Sequence, residues 1–376
     1  MSSLVILGLS VTSSWGNGHA TTYRALLKGL QQLGYDVLFL ERDAPWYAEN
    51  RDCRAIAGCR IELYTSLADL RRRFEAEVKN AGAVIVGSYV PQGADVLRWV
   101  LDTAHGRRLF YDIDTPITLA NLARETPTYI APESIPELDA YLSFSSGPVL
   151  EIIEQEHGAK LALPLCCSVD PDLYRPVSTT PTGALSYLGT YSDDRQPALE
   201  TLMLAAAREL ASEQFVVGGA GYPELDWPEN VARVEHVNPG EHAVFYGQSR
   251  FTLNITRQDM KRLGHSPSVR LFEAAACGTA IISDEWPGLS TFFEPEREIL
   301  VASDTEQVLR YLRDLPAATR RAVASRARAR VLCEHTADQR SRQLASYLES
   351  LALPERLDAS GLLESSSSSA FGSLEP

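Results

Sequence analysis

Between His265 and Gly278 the chain reads His-Ser-Pro-Ser-Val-Arg-Leu-Phe-Glu-Ala-Ala-Ala-Cys-Gly, a stretch that could hold an anion beside a hydroxyl-binding carboxylate. Ser266 suits a helix cap, and Pro267 suits the first helical position, where its missing N–H has no partner to lose. Leu271, Phe272, Ala275 and Ala276 fall on one apolar face, and Gly278 supplies a left-handed stop. Thr279-Ala280-Ile281-Ile282-Ser283 follows as a short β-branched run, the pattern of a buried parallel strand. Free N–H groups at the amino end of such a helix attract phosphate. Glu273, in its second turn, can accept from a pair of vicinal hydroxyls. Phosphate beside ribose is the outline of a nucleotide. The same spacing also suits an ordinary sheet-packing helix with a surface glutamate.

Further candidates lie elsewhere in the chain. Arg257, Lys261 and Arg262 place positive charge just ahead of that stretch, to meet an anion or a neighbouring carboxylate, and the anion is favoured with Arg257 first. Arg195 follows Thr190-Tyr191-Ser192-Asp193-Asp194 and can grip a diphosphate in two-pronged fashion or pair with Asp193 or Glu200. Asp112 and Asp114 alternate onto one side of a strand end, where they can do base work or cap the helix behind Thr115. His19 ends the loop Gly16-Asn17-Gly18, as a catalytic-site candidate or as a hydrogen bond at a helix mouth.

The elements that must position these groups alternate strand and helix. Leu4 to Leu9 reads as a strand, Ala20 to Leu33 as a helix closed by Gly34, and Tyr35 to Leu40 as a second strand, which makes a βαβ unit. Gly16-x-Gly18 and Glu41 imitate a dinucleotide-binding fingerprint. Thr21 replaces its third glycine, however, and about six residues separate the strand end from Gly16, which argues against NAD. The pattern repeats through Ile61–Tyr64, Ala83–Gly87, Leu109–Asp114 and Ala140–Phe144, so residues 1–165 form a first Rossmann-like domain. Residues 166–183, rich in Pro and Thr, are the linker. A second Rossmann-like domain spans 184–335, a terminal helix 336–352, and a Ser-rich tail 353–376 that composition marks as disordered.

The segment from His265 to Gly278 resembles the donor-binding motif of GT-B glycosyltransferases. The wider stretch Asn254-Ile255-Thr256-Arg257 through Asp284-Glu285-Trp286-Pro287-Gly288-Leu289 is similar to their CgeB-like branch, related to spore maturation proteins. Val-Asp-Pro-x-x-Tyr-x-Pro at 169–176 resembles the segment ahead of their second domain. The resemblance implies a GT-B fold, two Rossmann-like domains facing an interdomain cleft. It implies transfer of a sugar from a nucleotide-diphosphate donor, UDP- or dTDP-linked, to an unidentified acceptor. The retaining group carries two Glu separated by seven residues; Glu273 matches the second, which holds the ribose, and His265 stands in place of the first. Retention is what this implies. Ser268 and Val269 match positions whose amides meet the diphosphate. Thr190 and Arg195 match the phosphate-facing loop, His236 and Val237 the nucleobase contacts, and Gly18 with His19 the loop that faces the cleft. Asp114 is the first domain's candidate to orient or deprotonate the acceptor, and the terminal helix returns to that domain.

Composition narrows the partners. The net charge of −14 opposes coating of nucleic acid or of an anionic membrane. No run approaches the 18 or so apolar residues of a membrane span, and Leu4-Val5-Ile6-Leu7 starts the fold without a basic leader, so a cytoplasmic protein is expected. The six cysteines lack zinc-site spacing, and no Asp-x-Asp is read as a metal site, so a metal-independent reaction without a cofactor is expected. The alternatives are a nucleotide-sugar epimerase and a non-catalytic nucleotide-sugar-binding protein. Nothing in the sequence assigns an oligomeric state.

Overall fold

The computed structural model describes residues 3–126 and 129–351, and two parallel sheets organise them. The first contains β1 (Ser3–Gly8), β2 (Asp36–Arg42), β3 (Cys59–Tyr64), β4 (Ala83–Gly87), β5 (Arg107–Asp112), β6 (Ala140–Ser143) and β7 (Ala162–Pro164), in the order β3-β2-β1-β4-β5-β6-β7. The second contains β8 (Gly183–Leu188), β9 (Phe215–Gly218), β10 (Val231–Val234), β11 (Ser249–Asn254), β12 (Ala280–Ser283) and β13 (Leu300–Val301), in the order β10-β9-β8-β11-β12-β13. Parallel neighbours need crossovers, and helices supply them on both faces. Successive residues of β1 feed opposite faces: Leu4 and Ile6 join one buried cluster, Val5 and Leu7 another. That two-sided burial is why the strands read as continuous apolar runs.

In each sheet the strand order reverses beside its first strand, between β1 and β4 and between β8 and β11. The carboxyl ends at such switch points are the usual place for a ligand in these sheets. The two switch points face each other: the loop after β11 reaches the turn after β5, through Arg257 and Asp114.

The helix Ala337–Ser350 lies on the first domain. Its Ser341 hydroxyl donates to the Leu26 carbonyl at 3.2 Å, and Tyr347 donates to the Pro164 carbonyl at 3.0 Å. Gly29 makes the approach possible, since a Cβ there would come within 2.2 Å of Ser341 Oγ. The Ser-rich tail at 353–376 lies outside the described residues.

Candidate active site

The helix Val269–Ala276 begins two residues later than the Ser-Pro spacing predicts. The Ser266 hydroxyl does not cap it. It bonds the Gly264 carbonyl at 3.1 Å and the Ser145 hydroxyl of the first domain. Ser268 stands at the cap position without a side-chain bond, so the first-turn amides, Val269 included, are left to another acceptor.

One turn in, Glu273 is 3% exposed, against the surface alternative for that spacing. Its Oε2 accepts from Tyr246 Oη at 3.1 Å and lies 3.3 Å from His242 Nδ1; its Oε1 lies 3.4 Å from Thr21 Oγ1 of the first domain. Burial by itself would raise the Glu273 carboxyl. The His242 charge and hydrogen bonds from His242, Tyr174 and Tyr246 outweigh it and hold the group below its ordinary value.

Three guanidiniums gather beside this helix mouth. Arg195 donates from Nη2 to the Thr190 carbonyl at 2.7 Å, and its Nε is buried with no hydrogen-bond partner among the described residues. Arg270 donates to Asn254 Oδ1 at 3.0 Å and to the Leu188 carbonyl, and lies 4.9 Å from the Tyr187 ring centroid. Burial lowers the pKa of Arg195, the Tyr187 and Tyr222 hydroxyls oppose that, and the charges of Arg270 and Arg257 add to it. Arg257 is paired with Asp114 at 3.2 Å and lies 3.9 Å from Asp194, so the positive charge left for a ligand is chiefly that of Arg195 and Arg270.

Across the cleft, Asp114 is 3% exposed and follows β5. Its Oδ2 accepts from Tyr89 Oη at 2.6 Å and from Arg257 Nη1 at 3.2 Å, while Oδ1 is buried without a partner among the described residues. Asp114 stands at the cap position of the helix Thr115–Ala123 without a side-chain capping bond, and Asp112 accepts instead from Thr118 Oγ1 at 2.9 Å, the Asp114 amide at 3.2 Å and Tyr141 Oη at 2.5 Å. Burial pushes the Asp112 carboxyl up to about 6, despite those hydrogen bonds. His19 precedes the helix Ala20–Gln32 and makes no capping bond; its ring lies 6.5 Å from Tyr89 and 5.6 Å from Phe144. Burial lowers its pKa, the nearby Asp114 carboxylate opposes that, and Arg257 reinforces the lowering. Gly18 leaves open space, with no atom within 4 Å of the position a Cβ would take.

Residues 195–346 match the family model described as Glycosyl transferase-like. Solved structures share the whole architecture. Sucrose-phosphate synthase from Thermosynechococcus elongatus superposes with a TM-score of 0.69 at 15% identity, over 93% of this chain and 99% of that one. Anabaena HepE in complex with UDP-glucose gives 0.67 at 12% identity, over 93% and 100%. An alpha-glucosyltransferase in complex with UDP-glucose and DNA containing an abasic site gives 0.70 at 12%, over 93% and 99%. No curated protein matches the chain. The chain has the two-domain GT-B fold.

On this GT-B scaffold the remaining candidates are spread more widely. Thr190 is exposed at the tip of the loop after β8. His236 packs against Trp15 of the first domain, ring centroids 4.8 Å apart, and the Val237 carbonyl faces His242 Nε2 at 3.1 Å. His265 has φ 49°, and its ring is wedged between Gly147 and Gly288. Its carbonyl accepts from the Ser146 amide at 3.0 Å, so it stitches the two domains together. All three cations ahead of the motif meet carboxylates, against the expectation that favoured an anion: Arg257 pairs with Asp114 at 3.2 Å, and Lys261 with Asp284 and Arg262 with Asp259, each at 2.8 Å. Glu41 is fully buried and takes the Ser10 and Thr12 hydroxyls and the Val11 and Thr12 amides, which leaves it nothing to offer a dinucleotide.

Sequence reasoning missed His242, Tyr246, Arg270, Tyr89 and Thr21 in the interdomain cleft. A signal existed for two of them, since His242 and Tyr246 stand four apart on one short helix, His242–Gly247, and so share a face. Among the described residues no group of three His, Cys, Asp or Glu side chains is disposed to hold a metal ion.

Proposed function

We propose that this protein transfers a sugar from a nucleotide-diphosphate donor to an acceptor bound by the first domain. The observation that carries the reading is the meeting of Arg195, Arg257 and Arg270 at the mouth of the helix Val269–Ala276, one turn from the buried Glu273. Negative charge develops on the departing diphosphate, and fixed cations stabilise it there without reorganising. In this reading Glu273 accepts the ribose hydroxyls, the Ser268 and Val269 amides meet the diphosphate, and Thr190 borders it. His236 and Val237 line the base. His265 orders the seam beside the sugar. Asp114 and His19, past Gly18, receive the acceptor, with Asp114 Oδ1 free to take a hydroxyl proton.

Finer assignments rest on separate supports. A uridine donor is supported by similar folds solved with UDP or UDP-glucose. Arginines and a helix end supply the positive charge that a divalent ion would, so we assign metal-independent transfer. Retention and the CgeB-like branch rest on Glu273 and on the Asn254–Leu289 resemblance. Domain limits of 1–165 and 184–335 follow the two sheets. A reducing, cytoplasmic setting is supported by six unpaired cysteines. No helix among the described residues is long and apolar enough to cross a membrane.

Calorimetric titration with UDP, dTDP and GDP tests the reading, followed by sugar release from the matching nucleotide sugar in EDTA. At least one diphosphate is expected to bind, with Arg195→Ala weakening it or slowing turnover. Binding of none overturns the proposal.

A further inference from the structure

The imidazole of His242 lies between two acceptors. Its Nδ1 is 3.3 Å from Glu273 Oε2, and its Nε2 is 3.1 Å from the Val237 carbonyl oxygen. A carbonyl oxygen can only accept, and so can an ionised carboxylate, so a ring that serves both must carry a proton on each nitrogen. The Tyr174 hydroxyl stands 3.4 Å from Nδ1, and the Tyr246 hydroxyl completes the set around Glu273 Oε2. Thr21 closes the other carboxylate oxygen from the first domain, and Glu241 precedes His242 in the chain. No cation other than His242 hydrogen-bonds or ion-pairs with Glu273 among the described residues.

Resting on the donor reading above, we infer that His242 is a cationic strut, a positioning residue that fixes Glu273 for the ribose and ties it to the Val237 turn at the base. Burial opposes the imidazolium, but the Glu273 carboxylate, the Val237 carbonyl and Glu241 outweigh it and hold His242 above its ordinary value. The sign follows. The strut is complete at low pH and is lost as pH rises through that elevated value. Once the ring is neutral, one nitrogen lone pair faces an oxygen lone pair, and a buried carboxylate loses its counter-charge.

The test compares UDP with 2′-deoxy-UDP by calorimetry between about pH 6 and pH 8.5. The two nucleotides carry the same titrating diphosphate and the same base, so their affinity ratio isolates the hydroxyl that Glu273 receives. For the unaltered protein the ratio should favour UDP at low pH and fall about tenfold for each pKa unit of coupling that is lost. His242→Gln should give a small ratio with no pH dependence. A ratio constant with pH in the unaltered protein, or the same slope in His242→Gln, overturns the strut while leaving donor binding intact. Failure of both nucleotides to bind at any pH overturns the donor reading and the strut with it.

Discussion

Arg257 Nη1 stands 3.2 Å from Asp114 Oδ2, joining the loop after β11 to the end of β5 across the cleft. The same oxygen holds the Tyr89 hydroxyl at 2.6 Å, and the other carboxylate oxygen is buried without a partner among the described residues. A buried acceptor left unmet is costly, which supports the proposal that Asp114 meets a donor on the acceptor substrate. A diphosphate competing for Arg257 would loosen the ion pair and leave Asp114 to the acceptor.

Asp114→Asn should therefore lower kcat about 100-fold, within the span of general-base losses, while UDP affinity stays within about twofold. Tyr89→Phe should fall between the two, because it frees the carboxylate without removing it. Steady-state rates and calorimetry on the same preparations separate the effects. A loss confined to UDP affinity would place Asp114 on the donor side and refute its acceptor role.

Glu273→Gln tests the other wall. The amide replaces one of the two carboxylate oxygens with a donor and removes the negative charge, so one ribose hydroxyl loses its acceptor and the His242 imidazolium faces a group that no longer balances it. UDP affinity should drop at least about tenfold, the equivalent of roughly 1.4 kcal/mol. Folding stability should fall too, by about 3 kcal/mol if the ring stays charged, because a buried pair broken on one side is strongly destabilising. Urea unfolding and calorimetry read the two losses independently. Unchanged UDP binding in a stably folded variant would remove Glu273 from the donor site.

The legible parts of this chain are those written locally. Val5, Leu7, Val84 and Val86 announce strands because two-faced burial makes an unbroken apolar run. The Glu273 turn is legible because a helix stop and the next strand follow it closely. The partners that set the chemistry come from far away. Arg257 finds Asp114 across 143 positions, and Thr21 finds Glu273 across 252, separations that no periodicity encodes. The late start of the helix at Val269 has the same origin, since Ser145, which engages the Ser266 hydroxyl, lies 121 positions upstream. His242 was hidden because its helix is only six residues long and carries no repeated apolar stripe.

Gly29 and Ser341 fix how the last helix docks. A Cβ at Gly29 would lie 2.2 Å from Ser341 Oγ and 3.3 Å from the Ala337 carbonyl. Gly29→Ala should destabilise the protein by about 1–3 kcal/mol, the usual range for overpacking, even though alanine favours helix. Pairing it with Ser341→Gly should recover part of that loss by removing the obstructing hydroxymethyl. Urea midpoints of the two single variants and the double variant give the coupling. Strict additivity would mean that the two helices do not meet at this point.

His335 sets an acid limit on stability. Its ring stacks on Phe272 with centroids 4.5 Å apart at 17°, its Nδ1 accepts from Arg340 Nη2 at 2.7 Å, and its Nε2 is buried without a hydrogen-bond partner among the described residues. Burial pushes its pKa down to about 3, and the charges of Arg340 and Arg330 add to the shift. The folded protein thus keeps the ring neutral, whereas the unfolded chain protonates it near its ordinary 6.5. Below that pH the unfolded state binds a proton that the fold refuses. This contribution is therefore intact above about 6.5 and drains away as pH falls toward 3, with a slope of at most about 1.4 kcal/mol per pH unit. His335→Phe keeps a ring against Phe272 and removes the proton. Urea midpoints at pH 7, 5.5 and 4.5 should fall less steeply for the variant than for the unaltered protein. Parallel declines would show that the acid sensitivity arises elsewhere.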